Sequence, residues 1–500
     1  MKLVLVISFL VYSKLIIGQF AIDPISLWNL KKLNGENYSI IQPQIIYEDP
    51  FVKLMKYNID TLIEEKDTTI SFKQLITPAR LYEVRNLVSL VTENFVQYDS
   101  TLTFRSSLGF NVQGSWKKWM NKTQVLSGWS AREADNQVHS FILPLNNNSY
   151  YWYNDVRTRF GYNANKQLHI SFGIDNQFFG EGYRSLIQSD QVAPNPFAML
   201  RTKFWRFEYG LLYQFYHEQQ INSRYLKFNA LHYLSYNVTD KFNISLFEQV
   251  LFPSKDGQLK RNFEVEYLNP IVFFRPQEYS IGSADNVLLA LNTSYDFKNS
   301  TLYGQIALDE FVLSEIRARS KWWANKYAVQ LGYKGNHERW LYRVEANLVR
   351  PYTYAHIDFS QNAGNLGRPN AHPLGSNFIE LLAHTTYMFD KIGSVDVFGT
   401  FNLKGFDETG KSWGGDIYQN YAFRVKEYGN TIGQGLTQRS VLFGSVYRYY
   451  LRSKKKIFSS SFELYAQVNF QYTWGEKGNQ FLPSTVGGVG NNLFLSRKPF

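Results

Sequence analysis

The chain has 500 residues, of which 17% are aromatic and 19% are charged, and it contains no cysteine. The lack of cysteine excludes disulfides, thiolate metal sites, a cysteine nucleophile and a lipid anchor on an N-terminal cysteine. The mean hydropathy of -0.32 is that of a water-soluble chain, although the aromatic content exceeds what an ordinary core needs. The formal net charge of +11 favours acidic partners.

The N-terminal residues predict export. Lys2 precedes an apolar run over residues 3–11, and a second apolar patch ends at Gly18 before Gln19. A membrane-spanning helix needs roughly 18 or more apolar residues, and this run is shorter. Residues 1–18 are therefore expected to be a cleavable signal peptide. Export makes nucleic acid the poorest of the acidic partners, behind anionic lipid and acidic polysaccharide.

Residues 19–100 are expected to form a periplasmic segment with one amphipathic helix. Thr77 is a candidate helix cap with Pro78 in the first turn, and apolar residues then recur at helical spacing. These residues are Leu81, Val84, Leu87, Val88, Val91 and Phe95. The sequence therefore predicts a helix near residues 78–96.

From about residue 101 onward, apolar and polar residues alternate, which is typical of strands with one apolar and one polar face. The clearest case covers residues 458–474, with aromatic residues at both ends and aliphatic residues in the middle. This run is longer than the usual soluble strand of about 5 or 6 residues. Its aromatic ends match the interface girdles of membrane barrels. Residues 101–500 are therefore predicted to form a large antiparallel transmembrane β-barrel, an all-β membrane protein.

Short polar turns give an estimate of the barrel size. Turn candidates lie around Asp240, Lys298, Gly335, Asp390 and Lys454. Their spacing predicts about 14 to 16 strands, an even number as in bacterial outer-membrane barrels. An aromatic C-terminal residue, Phe500, fits the end of a last strand.

No motif in the sequence predicts an enzyme, a metal site or a cofactor. The eight histidines are isolated, and neither an H-E-x-x-H motif nor a calcium-loop spacing occurs. Residues 410–414 match the G-x-S-x-G pattern of serine hydrolases, but that mechanism needs a strained strand-to-helix turn, and Ser412 lies in a predicted loop. Carboxylates such as Asp309 and Glu310 are expected to be hydrogen-bonded groups of the lumen.

Several segments combine aromatic rings with charged and amide side chains. Sugar recognition needs this chemistry, because ring faces stack on apolar C–H surfaces while fixed polar groups satisfy hydroxyls or carboxylates. The alternative is structural, since the lumen of a wide barrel must be filled by hydrogen-bonded networks and folded-in loops. The candidate polysaccharide-binding residues are Glu181, Tyr183, Arg184, Arg275, Glu278, Asp285, Asn286, Trp322, Asn325, Arg350, Tyr352, Tyr354, His356, His372 and Asn377.

The same segments resemble the capsule assembly protein Wzi family, and specifically its Bacteroidota branch, which includes the gliding-motility protein RemB. The resemblance covers roughly residues 165–390 and extends weakly to Phe500. The segments that carry it are residues 180–186, the strand start at 203–206, Asn269-Pro270, Arg275-Pro276, Glu278-Tyr279, and residues 322–327, 350–354 and 371–375.

The resemblance to Wzi implies an outer-membrane barrel of about 18 strands, with periplasmic helices at its N-terminal end, that holds capsular or other surface polysaccharide as a lectin. The resemblance to RemB implies a role in gliding motility instead. The implied partners are outer-membrane lipid, surface polysaccharide, and capsule-export or gliding-motility machinery. No catalytic residues are implied.

Two other classes of function stay open from the sequence. A porin-like channel or transporter requires an open lumen, and the bulky segments around Trp322 and Tyr352 argue for a filled one. A hydrolase of outer-membrane lipid or glycan requires an activated serine or a paired acid and base, and the best serine candidate, Ser412, lies in a loop. We therefore expect a binding protein that is not an enzyme.

Overall fold

The computed structural model describes residues 87–99, 102–116, 118–131, 141–145, 150–165, 167–220, 223–256, 259–260, 267, 285–337, 339–389, 393–451 and 462–490. The predicted signal peptide and the chain up to residue 86 lie outside these residues. So do Arg275, Glu278, Asp390, Lys454 and Phe500.

The described residues are mainly antiparallel strands, and their bounds are as follows. The first part of the chain forms β1 (Leu87–Tyr98), β2 (Leu102–Trp116), β3 (Trp119–Ser130), β4 (Phe141–Leu145), β5 (Tyr150–Asn163), β6 (Leu168–Asp175), β7 (Asn195–Phe204), β8 (Phe207–Gln220), β9 (Ser223–Asn237), β10 (Phe242–Pro253), β11 (Lys255–Asp256) and β12 (Leu259–Lys260). The second part forms β13 (Asn286–Asp296), β14 (Ser300–Glu310), β15 (Lys326–His337), β16 (Trp340–Val349), β17 (Gly364–Asn365), β18 (Arg368–Pro369), β19 (Phe378–Phe389), β20 (Gly393–Phe406), β21 (Leu436–Leu451), β22 (Phe462–Gly475) and β23 (Gln480–Gly490).

Helices are few and short among the described residues. Helix α1 (Leu313–Arg317) follows β14, and two single-turn 3₁₀ helices span Phe359–Gln361 and Tyr421–Phe423. Within the described part of the chain, no helix has the length and apolar character needed to cross a membrane.

The main sheet closes on itself. Neighbouring wall strands pair in antiparallel fashion around the molecule, and β1 pairs with β23, so that Val96 lies opposite Gly487. Of the 19 strands in this sheet, all except β4 belong to the wall, and β4 pairs with one edge of β5. The wall is therefore a closed barrel of 18 strands, as the resemblance implied. Closure leaves the wall itself without an open edge.

The wall is apolar outside and polar inside. Leu381 in β19 is 50% exposed, while Glu380 and Leu382 on either side of it are buried. In β15, Leu331 is 59% exposed beside the buried Gln330. Because successive strand residues point to opposite faces, this pattern gives an outer surface of large apolar residues around a polar interior. The arrangement reverses that of a water-soluble domain and is the one that a lipid-facing barrel requires.

The two ends of the barrel differ in their connections. One end carries short turns, such as residues 205–206 and 238–241, and we call it the short-turn end. The other carries the long connections 176–194, 350–377 and 407–435, and we call it the long-loop end. Outer-membrane barrels have short periplasmic turns and longer extracellular loops. By this rule the long-loop end faces the outside of the cell.

Strand β1 corrects the helix predicted near residues 78–96. Residues 87–98 are a strand, so the helix prediction is wrong over this part, while residues 78–86 lie outside the described residues. The barrel also begins before residue 101. The β-branched residues of β1 favour a strand, and pairing with β2 and β23 satisfies its backbone on both sides.

The estimate of 14 to 16 strands was too low, because short connections such as residues 221–222 between β8 and β9 were not recognised. Asp240 and Lys298 lie in turns as predicted. Gly335 lies inside β15, which continues to His337 before β16 begins at Trp340. The strand predicted over residues 458–474 is confirmed from residue 462 onward as β22, while residues 458–461 lie outside the described residues.

The outer apolar surface leads to a test of depth in the membrane. We expect Leu331→Arg, near the middle of β15, to lower the free energy of unfolding by about 2 to 4 kcal/mol, because it places a cation near the bilayer midplane. Leu102→Arg is the matched control, since Leu102 is 71% exposed at the first position of β2. Its cost should be about 0 to 1 kcal/mol. Urea titration in phospholipid vesicles measures both. Equal costs at the two positions would contradict the assigned lipid-facing band.

Candidate functional site

Two long connections fold back into the barrel and fill part of its lumen. We call residues 176–194, between β6 and β7, and residues 350–377, between β16 and β19, the lumen loops. The loops hold each other: the Tyr354 hydroxyl donates to the Leu186 carbonyl at 2.8 Å. A backbone hydrogen bond of 2.7 Å from Ser189 in one loop to the other loop adds to this contact.

The first lumen loop contacts two separate strands of the wall. Gln305 of β14 accepts a hydrogen bond from the Leu186 backbone at 2.8 Å and donates to the Phe179 carbonyl at 2.9 Å. Gln188 of the loop donates to Gln214 of β8 at 2.8 Å. Inward-facing amides thus satisfy the backbone of a loop that would otherwise be buried without partners.

The second lumen loop is held by a buried cation. The Lys227 ammonium group of β9 donates to Glu218 at 2.9 Å and to the carbonyl and side-chain oxygens of Asn362 at 3.0 and 2.8 Å. A fully buried charge is tolerated only when it is paired and hydrogen-bonded. Lys227 meets both conditions and fixes the loop to the wall.

Part of the lumen has an apolar core like that of a soluble domain. Phe179 of the first loop packs against Tyr233 and Phe247 of the wall, with ring centroids 5.8 and 5.5 Å apart. Buried alanines and Ile417 from the other connections join the same cluster. This part of the lumen is therefore packed solid.

A charged network lies beneath the first lumen loop and contains three predicted site residues. Glu345 of β16 accepts from the backbone N–H groups of Tyr183 and Arg184 at 2.7 and 3.1 Å. Arg184 pairs with Glu380 at 3.2 Å, and His372 hydrogen-bonds the same carboxylate at 2.8 Å. These residues are buried, and each contact stabilises the position of a loop.

Further predicted residues hold loop backbones together. Asn377 accepts from the Gly433 backbone at 2.7 Å and donates to the Gln434 carbonyl at 2.9 Å. The Tyr352 hydroxyl donates to the Ser412 carbonyl at 2.9 Å. Ser412 itself is buried in the connection 407–435, as predicted for a loop residue, and its hydroxyl accepts from the Gly414 backbone at 3.4 Å.

The remaining described candidates also lie in internal contacts. Three of them accept hydrogen bonds: Glu181 from Lys334 at 2.5 Å, Asp285 from the Tyr267 hydroxyl at 2.6 Å, and Asn325 from the Val312 backbone at 2.7 Å. Two donate to backbone carbonyls: Asn286 to Gln361 at 2.9 Å and Arg350 to Asn430 at 3.4 Å. Most of the predicted binding residues therefore build the interior, and Trp322 differs from them because it is partly exposed.

Two predicted residues have unusual backbone conformations. Tyr352 and Tyr354 have φ angles of +68° and +73°, a region that bulky residues rarely occupy. The Asp309 carboxylate accepts from the Tyr354 backbone at 2.8 Å, and the neighbouring peptides are also hydrogen-bonded. The surroundings therefore impose a conformation that costs energy, which places the two rings at fixed positions under the long-loop end.

Above the second lumen loop, residues from two connections meet at the long-loop end. We call Trp322, Trp323, Tyr421, Arg424 and Glu427 the outer aromatic surface. The rings of Trp323 and Tyr421 lie 4.8 Å apart, and the Arg424 guanidinium lies 4.5 Å from the centroid of Trp323. Glu427 accepts from the indole N–H groups of both tryptophans at 2.8 and 3.1 Å.

The outer aromatic surface is rigid and partly open to solvent. Arg424 pairs with Glu427 at 2.7 Å, and both side chains stay partly exposed. The Trp323 backbone donates to the Glu427 carbonyl at 3.0 Å, which ties the two connections together. Phe423 is 63% exposed next to this surface, and Lys426 is exposed as well. Aromatic faces and fixed charges thus lie side by side on the outside of the barrel.

Sequence reasoning identified Trp322 but missed its neighbours on the other connection. Tyr421, Arg424 and Glu427 were not among the candidate residues. The signal was present in the run of aromatic and charged residues over 418–428. A single sequence does not reveal that this run lies against residues 322–323.

The carboxylate at the centre of the outer aromatic surface is charged at neutral pH. The hydrogen bond from the Trp322 indole, followed by the contacts with Arg424, lowers the pKa of Glu427 below its usual range. A negative charge therefore persists between the rings over the whole physiological range. It orients both indole groups and the guanidinium.

Two histidines of the second lumen loop are neutral. Burial lowers the pKa of His356 to about 4, with Lys326 adding to the effect and Glu310, Asp358 and Asp285 opposing it. Burial also lowers the pKa of His372. Its hydrogen bonds agree with a neutral ring, because one ring nitrogen accepts from the Leu374 backbone while the other faces Glu380. Among the described residues, no group of three or more His, Asp or Glu side chains is arranged to hold a metal ion.

Comparison with known proteins gives a likeness of fold. No protein-family model matches the chain, and no curated protein matches it in sequence. The solved structure of Wzi from Escherichia coli, described as an outer-membrane carbohydrate-binding β-barrel involved in group 1 capsule assembly, is similar over 89% of both chains. Its TM-score is 0.53 and its identity is 11%. The chain shares this outer-membrane barrel fold.

Pseudomonas aeruginosa barrels are more distant. OprD is 9% identical over 82% of this chain and 97% of its own, with a TM-score of 0.46. OccK5 is 9% identical over 81% of this chain and 96% of its own, with a TM-score of 0.43.

Neutral His356 leads to a prediction on pH. Because its pKa in the folded protein lies below the ordinary value of about 6.5, the unfolded chain binds the additional proton at intermediate pH. The contribution of neutral His356 to the free energy of unfolding is therefore fully present above pH 6.5 and is lost as the pH falls towards about 4. We expect His356→Gln to reduce this loss by at most about 3 kcal/mol.

Urea unfolding at pH 7.5 and pH 4.5 measures this difference. Because His372 contributes to the pH dependence of stability with the same sign, this dependence should weaken in the His356→Gln variant without disappearing. His337→Gln, at an exposed position, is the control and should keep the wild-type dependence. An unchanged dependence in the His356→Gln variant would contradict the prediction, because it would show that the pKa of His356 is the same in the folded and unfolded protein.

Proposed function

We propose that this protein is an outer-membrane barrel that binds surface polysaccharide at its long-loop end, in a lectin-like manner. The outer aromatic surface carries this proposal. It presents Trp322 and Tyr421 beside Arg424 and Glu427, on a scaffold held from below by the lumen loops. A pre-organised surface loses little conformational entropy when it binds a flexible chain.

The location follows from the exterior of the barrel. Its large apolar side chains suit lipid and not water, and the loop lengths assign the long loops to the outside of the cell. An exported chain with this fold is expected in the outer membrane, with lipid as a permanent partner. The fold likeness to Wzi, a carbohydrate-binding barrel by its description, supports the same interpretation.

The chemistry of the surface favours a glycan. Ring faces stack on the C–H faces of sugars, while Arg424 and Glu427 supply a donor and an acceptor for hydroxyl groups. Exposed cations surround this surface, among them Arg319, Lys321 and Lys426. Together with the positive net charge of the chain, they favour an acidic polysaccharide over a neutral one.

The predicted site residues then fall into two roles. Trp322 is proposed to contact the glycan. Arg350, Tyr352 and Asn325 are proposed to hold the connections that present it, and the other described candidates to hold the lumen loops. Attachment of a capsule is the role that we favour. Partnership with capsule-export machinery, and a role in gliding motility, remain predictions from the sequence resemblance.

The filling of the lumen argues against the alternative function of a channel. The lumen loops pack on β8, β9, β14 and β16, and the apolar cluster around Phe179 leaves that part of the lumen solid. The serine candidate Ser412 does not favour a hydrolase either, because its buried hydroxyl contacts a backbone amide within its own loop.

Polysaccharide retention by single-site variants tests the proposal. We expect purified protein in detergent micelles to retain a uronic-acid polysaccharide such as alginate more strongly than dextran, which is neutral. Trp322→Ala and Arg424→Ala should each weaken retention about tenfold, which is a loss of about 1.4 kcal/mol. Biolayer interferometry on immobilised protein gives both affinities.

Trp205→Ala is the matched control for this experiment. Trp205 is 74% exposed but lies in a turn at the short-turn end, away from the outer aromatic surface. Its variant should retain the polysaccharide like the wild type. If neither polysaccharide is retained, or if all variants behave alike, the lectin proposal fails.

Liposome swelling tests the filled lumen separately. Because the lumen loops occupy part of the interior, we expect proteoliposomes to take up arabinose and larger sugars no faster than protein-free liposomes. A general porin serves as the positive control. Rapid flux that falls with increasing solute size would contradict the filled lumen and favour the porin alternative.

A further inference from the structure

A groove lies on the lipid-facing side of the barrel where its first and last strands meet. We call it the seam groove, and its volume is about 650 Å³. This size lies within the range of about 300 to 1,000 Å³ that is usual for ligand sites. The outward-facing side chains along it are Val96, Phe104, Tyr447, Tyr449, Leu464 and Val489.

Small residues form the floor of the seam groove. Gly487 of β23 lies directly between Ala466 of β22 and Val96 of β1. Larger side chains rise on both sides of this floor. The ring of Tyr447 packs against Phe389 at 6.3 Å, and the ring of Phe104 packs against Trp129 at 5.0 Å. Neighbouring strands therefore hold both walls of the groove in place.

The fold itself does not require glycine at position 487. A Cβ atom there would meet the Tyr465 carbonyl at 4.0 Å, an ordinary contact, and the residue does not adopt a left-handed conformation. At Gly109 and Gly173, by contrast, a Cβ atom would lie within 2.0 Å of a backbone oxygen. Glycine weakens a strand and often marks a place where a ligand or another backbone approaches closely. Gly487 therefore points to an occupant.

We propose that the seam groove holds one acyl chain of a membrane phospholipid in a fixed position. The groove is continuous with the apolar outer surface of the wall, so the molecules that reach it are those of the bilayer. Tyr447 and Tyr449 lie near the end of β21 at the short-turn end. Tyrosines of this kind mark the membrane–water interface, so the headgroup of this phospholipid lies beside them.

A second copy of the chain fits the groove less well. A two-fold symmetric contact brings the same patch of both copies together. Two concave grooves facing each other would enclose an empty space, and unfilled space loses packing contacts. A single flexible hydrocarbon chain can adapt to the groove and fill it without this loss. The shape of the groove therefore favours lipid, and self-association becomes an outcome of the test.

Filling the groove from its floor tests the proposal. Gly487→Leu and Ala466→Leu each place a side chain in the groove from a different strand. Gly399→Leu is the matched control, because Gly399 lies in β20 away from the groove and a Cβ atom there meets a single backbone oxygen at 3.6 Å. Each protein is reconstituted in vesicles of phosphatidylethanolamine and phosphatidylglycerol and extracted in mild detergent. Native mass spectrometry then counts the phospholipids retained per barrel.

We expect the wild type and the Gly399 variant to retain one phospholipid, and the two groove variants to retain at least ten times less. Heat-modified migration in gel electrophoresis shows which variants are folded, and two independent groove variants keep the test valid if one of them does not fold. Equal retention by all folded proteins, or none by the wild type, would overturn the proposal. A wild-type dimer that the groove variants abolish would also overturn it and would assign the groove to a second copy.

Discussion

The pairing of β1 with β23 is the constraint on which the rest of the molecule depends. In hydrocarbon an unpaired peptide group costs several kcal/mol, so a sheet can face lipid only when it has no free edge. The register between β1 and β23 supplies the missing partners and turns the sheet into a cylinder. Once the cylinder is closed, its alternating side chains must face two different media, and the apolar half of each strand faces outward.

Closure also determines what the interior must contain. A cylinder of 18 strands is too wide for wall side chains alone to fill, and its inner face carries buried charges such as Lys227, Glu345 and Glu380. The lumen loops satisfy these charges and bring their own apolar residues with them. The first role of the lumen loops is therefore to stabilise the interior of the barrel. The outer aromatic surface is rigid because it rests on them.

The sequence predicted the parts of the fold that depend on local pattern. The two-residue alternation identified the wall and the strand β22. It failed at β1, where apolar spacing from Leu81 to Phe95 also suited a helix and only pairing with distant strands decides the outcome. At the candidate site, Trp322 was among the predicted residues, and its binding role stays a prediction. Tyr421, Arg424 and Glu427 were missed because the contact joins two hairpins, and no local pattern encodes such a contact.

The pairing of β1 with β23 also bears on how the protein folds. The two strands lie far apart in the chain, and the lumen loops come from connections between them. Contacts between distant segments are slow to form because a long loop must be ordered first. A loop is easier to place in an open, curved sheet than in a finished cylinder. We therefore expect the lumen loops to dock before the seam forms, so that the last step of folding seals a barrel that is already filled.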